Sequence, residues 1–277
     1  MSSDRTRRPR TASRSRVRTA VAAGTWSAPR DGATHGFASL DVTEAERWCA
    51  GLAGVTLTHV LGAAVALGLE AAPDLNSRVV LGSVRRRPSI DVAYVVDIGR
   101  GRSMSAVCVR DAPSKTPRAI AREVLAGARA IRRGTDPVFG RATRVAARVP
   151  EPLVRPGMAA AGFVTGGLGR RFAPLALPAH PFGSALVSAI GPWGLERAIP
   201  PLAPFARLGL VLVLGRVAAR PWVVDGAVVP RRIVDVGVTV DHRLADGAQI
   251  GAFAAVVRAA VERPWETWPT DGGPAAG

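Results

Sequence analysis

Residues 241–247 read DHRLADG and carry the side chains best suited to chemistry in this chain. His242 follows a mostly apolar run at 234–240, and Asp246 lies four residues later, where a helical pattern begins. Histidine is the side chain whose ordinary pKa lets it take and return a proton near neutral pH. The run therefore predicts a catalytic base on a strand-to-helix turn, although so short a motif also arises by chance.

The elements that must position this turn are strands and helices in mixed order. Apolar alternation predicts strands at 36–42, 79–84, 90–98, 103–109, 185–189, 208–217, 222–224, 228–230 and 233–240. Helical spacing and start signals predict helices beginning at Thr43, over 57–71, from Thr116 to about Arg133, and from Asp246 to about Arg263. Tight turns are expected at 99–102 and 225–226. This order predicts an α/β sandwich.

The DHRLADG run resembles the D-H-R-x-x-D-G signature of the acyltransferase catalytic domain of the 2-oxoacid dehydrogenase complexes, which shares its fold with chloramphenicol acetyltransferase. Other segments resemble that domain in the same order. They are APDLN at 72–76, DVAYVVD at 91–97, VCVRDA at 107–112, GSALVSAIG at 183–191, GRVAARP at 215–221 and VVDG at 223–226. The resemblance covers about residues 34–265, and so many ordered motifs are not expected by chance.

The resemblance implies a chloramphenicol acetyltransferase-like fold, a two-layer α/β sandwich with a mixed sheet. It also implies transfer of an acyl group between coenzyme A and a thiol or hydroxyl acceptor. His242 would be the general base, and the hydroxyl of Ser188 would stabilise the oxyanion. Asp246 would anchor the turn through an arginine, or simply cap the helix. Ser188 has a plainer reading as a strand serine, and Arg243 is expected to form a structural ion pair.

The resemblance further implies a homotrimer, or a larger cage built from trimers, in which His242 of one chain faces Ser188 of its neighbour across a coenzyme A channel. We expect no lipoyl attachment in this chain, because residues before 34 show no lipoyl or subunit-binding domain pattern. The acceptor is therefore not assumed to be dihydrolipoamide. The alternative is a non-catalytic scaffold that keeps the oligomeric core and binds a partner through its basic tail.

Composition divides the chain into three parts. It has 277 residues, 48% of them hydrophobic, and a formal net charge of +16. Residues 34–266 are long enough for one catalytic domain, whereas 1–33 are predicted to form a disordered arginine-rich tail and 267–277 a flexible one. The basic tail suits an anionic partner or membrane surface. No aromatic residue lies between the seven arginines of residues 5–18, so specific nucleic-acid recognition is not expected.

Cysteines and histidines indicate neither disulfides nor a metal. Cys49 and Cys108 cannot make a disulfide framework, which suits a cytoplasmic location. The four histidines are scattered, so no metal site is predicted. His59 is expected to be a core or groove histidine, and His180 is given no role.

Residues 134–182 form an apolar insert relative to the resembling family. The apolar run is too short, too glycine-rich and too closely bounded by prolines to cross a membrane. Two interpretations stay open. The insert is a lid or hairpin packed on the trimer, or it lies on a membrane surface or lines a groove for a hydrophobic acyl chain.

Overall fold

The computed structural model describes residues 32–99, 104–136 and 138–269. The predictions for most of the basic tail, for the turn at 99–102 and for most of the C-terminal tail lie outside these ranges. The residues in these ranges form nine strands and seven α-helices.

The centre of the molecule is a mixed seven-stranded sheet, counted over the described residues. Its strands are β1 Ala33–Asp41, β4 Val92–Asp97, β5 Met104–Val109, β6 Ala185–Ala189, β7 Leu210–Leu214, β8 Ala218–Val224 and β9 Ala227–Asp241. Their order in the sheet is β1, β9, β7, β6, β4, β5, and β8 pairs with the first half of β9, residues 227–233. Only β4 with β6 and β6 with β7 run parallel.

The helices lie mainly against one face of this sheet. The first four are α1 Thr43–Ala50, α2 Leu57–Ala71, α3 Pro117–Arg132 and α4 Gly140–Ala146. The other three are α5 Glu151–Gly162, α6 Gly247–Glu262 and α7 Pro264–Thr267. The core contains α2 side chains such as Leu61, Val65 and Leu69 and sheet side chains such as Val92 and Leu212. The predicted two-layer α/β sandwich with a mixed sheet is confirmed.

Close packing of α2 explains two of its glycines. A Cβ on Gly62 would lie 2.0 Å from the hydroxyl oxygen of Tyr94, and one on Gly68 would lie 2.7 Å from the ring of Phe253. The helix therefore sits against both the sheet and α6, and its first turn ends up beside the outer end of β4.

Two strand predictions need correction. The strand expected at 79–84 is a hairpin, with β2 at Ser77–Val80 and β3 at Ser83–Arg86, because Leu81 and Gly82 take positive φ angles of 49° and 78°. The strands expected at 228–230 and 233–240 are one strand, β9. The tight turn at 225–226 is confirmed, since Asp225 and Gly226 have φ of 50° and 80°.

The insert is largely helical, and the two interpretations of its role stay open. It contains α4, α5 and a π-helical turn at Phe163–Gly167. Buried arginines fasten it to the domain: Arg78 donates to the carbonyl of Gly167 at 2.8 Å, and Arg87 lies 2.9 Å from Nδ1 of His180. Within the described ranges, no helix combines the length and apolarity needed to cross a membrane.

The C-terminal boundary lies slightly beyond the predicted one. Residue 267 was expected to begin a flexible tail, but Thr267 ends α7 and Trp268 is buried in the core. Apolar burial explains the difference, because the indole packs with the helical layer rather than with solvent.

Candidate active site

His242 lies on the turn between β9 and α6, as the sequence predicted. The turn is held on both sides of the histidine: Arg243 makes a two-point ion pair with Asp241, with Nε–Oδ1 at 2.8 Å and Nη2–Oδ2 at 2.6 Å. The His242 amide donates to the carbonyl of Gly32, and the next side chain, Leu244, is buried. The imidazole is therefore left exposed on a fixed backbone.

Asp246 serves as the N-cap of α6. Its carboxylate accepts from the amide of Ala248 at 3.1 Å, and the side chain of Gln249 accepts from the Asp246 amide at 3.2 Å. This reciprocal capping box matches the prediction that Asp246 caps the helix. Among the described residues, Asp246 has no arginine partner; the anchoring arginine pair of this turn belongs to Asp241 instead.

Ser188 lies on β6 at the point where two parallel strands separate. Strands β4 and β6 pair only as far as Tyr94 and Val187, so Ser188 follows the last paired residue. A cleft of about 260 Å³ opens there. We call it the Ser188 cleft; it is lined by Thr56, Thr58, His59, Tyr94, Val95, Val96, Asp97, Met104, Val124, Ser188, Ala189, Pro192 and Trp193.

One chain does not bring Ser188 and His242 together. In the sheet register Ser188 lies beside Val213, and Val213 lies beside Gly237. The five residues from Gly237 to His242 span roughly 17 Å along the strand, and two strand spacings add roughly 10 Å sideways. The two side chains therefore occupy opposite ends of the sheet.

His59 is the residue of the Ser188 cleft that sequence reasoning did not assign to the site. Its ring is 6% exposed, and burial lowers its pKa to about 4, so the imidazole is neutral at pH 7. The prediction of a core or groove histidine describes its burial correctly. The missed signal was its spacing: His59 stands three residues after Thr56, at the position from which a side chain reaches back to a helix cap.

The insert and the cysteines lie apart from this chemistry. The lining of the Ser188 cleft includes no residue of 134–182. Burial raises the pKa of Cys49 and of Cys108 to about 12, which leaves both thiols protonated. In the described part of the chain, no group of three or more His, Cys, Asp or Glu side chains is arranged to hold a metal ion.

Comparison by sequence places the resemblance in the second half of the chain. Residues 182–268 match the family model for the 2-oxoacid dehydrogenases acyltransferase (catalytic domain). The dihydrolipoyllysine-residue acetyltransferase component of the pyruvate dehydrogenase complex of Zymomonas mobilis is 29% identical over 82 residues, 30% of this chain and 18% of that protein. The chain thus spans less than a fifth of the curated relatives it matches.

Comparison by structure covers most of the domain. A probable dihydrolipoamide acetyltransferase from Listeria monocytogenes superposes with a TM-score of 0.62 at 18% identity, covering 83% of this chain and 84% of that one. The dihydrolipoamide acetyltransferase of Azotobacter vinelandii gives 0.60 at 19% identity, covering 84% and 83%. The cubic core of the pyruvate dehydrogenase multienzyme complex gives 0.59 at 20% identity, with the same coverage. The predicted resemblance and fold are confirmed.

Proposed function

We propose that this chain is an acyltransferase that moves an acyl group between coenzyme A and a thiol or hydroxyl acceptor. One observation carries the proposal: the segment that matches the acyltransferase catalytic domain, 182–268, contains both Ser188 and His242. The structure holds His242 exposed on a braced turn and places Ser188 in a cleft. The domain therefore presents a proton acceptor and a hydroxyl donor, the two groups that acyl transfer requires.

The spacing of these residues adds support. The catalytic mechanism of the Azotobacter vinelandii enzyme has been investigated through a serine, a histidine and an asparagine, the last two separated by four positions. His242 and Asp246 have the same separation, and Ser188 precedes His242 by a similar distance. This chain departs from that set by carrying aspartate in place of asparagine. Since Asp246 caps α6, we assign it the positioning of the turn.

The proposed reaction begins with proton transfer from the acceptor to the neutral imidazole of His242. The acceptor sulfur or oxygen then attacks the thioester carbonyl carbon, and the oxyanion that forms accepts a hydrogen bond from the hydroxyl of Ser188. Collapse of the tetrahedral intermediate breaks the carbon–sulfur bond to coenzyme A. The departing thiolate takes the proton back from His242, which returns the site to its starting state.

The proposal includes an oligomer. Because Ser188 and His242 of one chain lie at opposite ends of the sheet, a complete site requires the histidine of a second copy at the Ser188 cleft. A closed ring of identical contacts, such as a trimer, supplies one such site per chain. The similarity in fold to the cubic core of the pyruvate dehydrogenase multienzyme complex supports this assembly.

Thiol release from a panel of acyl-coenzyme A donors, with and without free dihydrolipoamide, tests this function. We expect release that depends on an acceptor in the wild type. We expect a loss of about 10²- to 10⁴-fold in His242→Ala, the range typical of a missing acid–base group. The side chain is exposed and bonded to no described residue, so this variant should keep its melting temperature and its oligomeric state. A fully active His242→Ala protein would contradict the mechanism, and an assembled wild type that is inactive with every pair would favour the scaffold.

A further inference from the structure

The ring of His59 is held in one orientation inside the Ser188 cleft. His59 is in the first turn of α2, and its Nδ1 lies 3.1 Å from both the amide nitrogen and the hydroxyl oxygen of the N-cap residue Thr56. Because the amide can only donate, Nδ1 must be the acceptor. The neutral ring therefore carries its proton on Nε2.

That proton has no acceptor in the described part of the chain. The polar contacts of the ring are those to Thr56, and its other close neighbour is the tilted ring of Tyr94, with centroids 6.1 Å apart. Nε2–H is not a fully buried atom. It is therefore open to the cleft, where an acceptor atom of a bound ligand can take its hydrogen bond in place of water.

We propose that His59 is a second donor to the thioester oxygen, acting beside Ser188 in the same cleft. This inference rests on the proposed function and deepens it. Both residues line the cleft that opens where β4 and β6 separate, so a thioester bound in this cleft lies against both of them. His59 exchanges no proton during the reaction; it keeps Nε2–H throughout and donates more strongly as charge develops on the oxygen.

The neutral state of the ring suits this role. Burial lowers the pKa of His59 to about 4, so its ring stays neutral at pH 7. A neutral donor adds no net charge to the cleft and leaves the acid–base step to His242 alone. The two histidines then have separate tasks: one moves a proton, and the other holds the oxygen.

The matched variants separate this role from helix capping. Glutamate is a standard capping-box residue at this helix position, and its carboxylate only accepts hydrogen bonds. His59→Glu should therefore keep the contact to Thr56 while it removes the N–H donor. We expect the kcat of His59→Glu for acetyl-coenzyme A and dihydrolipoamide to fall at least tenfold and by up to about 10³-fold, with KM changed less than twofold. The melting temperature should change little. A kcat equal to that of the wild type would overturn the proposal.

Nitrogen NMR of the histidine rings tests the contact without requiring turnover. The intact protein, labelled at its histidines, is titrated with acetyl-coenzyme A, and His59→Gln assigns the signal. We expect a protonated Nε2 that shifts when the thioester binds. An unprotonated Nε2, or no shift at saturating acetyl-coenzyme A, would overturn the role of His59. An inactive wild type that still shows the shift would contradict the proposed function and leave the contact standing.

Discussion

Two buried histidines, His59 and His180, should make the free energy of unfolding depend on pH. Burial lowers the pKa of each to about 4 from the ordinary value of 6.5, and at His180 the nearby charges of Arg87 and Arg78 act in the same direction. Below pH 6.5 the unfolded chain binds protons that the folded chain still excludes. The free energy of unfolding should therefore fall as the pH drops from about 6.5 to about 4. Above pH 6.5 these two residues should cause no further change in stability with pH.

Urea unfolding at pH 7 and at pH 4.5 measures this difference. His180→Gln keeps an acceptor for Arg87 and removes one titrating group, so its stability should change less between the two pH values. If the variant and the wild type lose the same stability, His180 is not neutral in the folded protein. His59→Gln provides the same comparison for the cleft.

Sequence reasoning succeeded at the residue scale where local chemistry decides the outcome. The exposed His242, the ion pair of Arg243 and the capping role open to Asp246 all follow from a strand-to-helix turn. His59 was missed as a site residue because its importance depends on the place where β4 and β6 separate. The sequence shows the two strands but not the residue at which their pairing ends.

The capping box of α6 is the clearest element-scale target near the site. Asp246→Ala should destabilise the protein by about 1 kcal/mol, because the first turn of α6 loses its side-chain acceptor. Asp246→Asn retains an acceptor oxygen and should lose much less. Urea unfolding measures both free energies, and thiol release shows whether a loosened turn also lowers the rate. Equal losses in the two variants would mean that Asp246 acts through its charge rather than through capping.

Attachment of the insert can be tested on one helix, α5. A Cβ on Gly162 would lie 2.3 Å from the carbonyl oxygen of Phe205, whereas one on Gly157 would meet nothing within 4 Å. Gly162→Ala should therefore push α5 away from the domain and cost more than about 1 kcal/mol. Gly157→Ala should stabilise the helix by up to about 1 kcal/mol. Unfolding free energies measure both, and a neutral Gly162→Ala would show that α5 is not packed as described.

Element prediction failed where tertiary contacts override local pattern. The helices over 57–71, 117–132 and 247–262 were predicted closely because caps and apolar spacing mark them. The insert contains helix-disfavouring residues, including Pro156 within α5. A buried arginine, Arg78, bonds the π-helical turn that follows α5, and this contact is not visible in the local sequence. The short hairpin β2–β3 was read as one strand because the turn residue Leu81 is a poor turn former.

At the scale of the whole molecule, the sheet keeps the two proposed catalytic groups apart. Ser188 lies just past the residue at which β6 stops pairing with β4, and His242 follows the end of β9 at the opposite end of the sheet, so no side-chain rotation brings the two together. The fold was predictable because its motifs occur in order along the chain. The separation was not, because it depends on the register between β6, β7 and β9, which only the structure supplies.

Mixing two inactive variants tests whether the site forms between chains. In a closed trimer, Ser188→Ala chains keep His242 and His242→Ala chains keep Ser188. An equal mixture assembled together should therefore contain intact pairs at about a quarter of its interfaces and recover about a quarter of the wild-type rate. Activity is recovered wherever a chain that keeps Ser188 lies beside a chain that keeps His242.

The control is an equal mixture of wild type with the double variant. A site between chains again needs two correct neighbours and should give about a quarter of the rate, whereas a site within one chain should give about half. Half activity here, together with no recovery in the first mixture, would place both groups in one chain and contradict the register of the sheet. A quarter in both mixtures would make assembly a condition of catalysis, because no single copy of this sheet can supply both groups to one substrate.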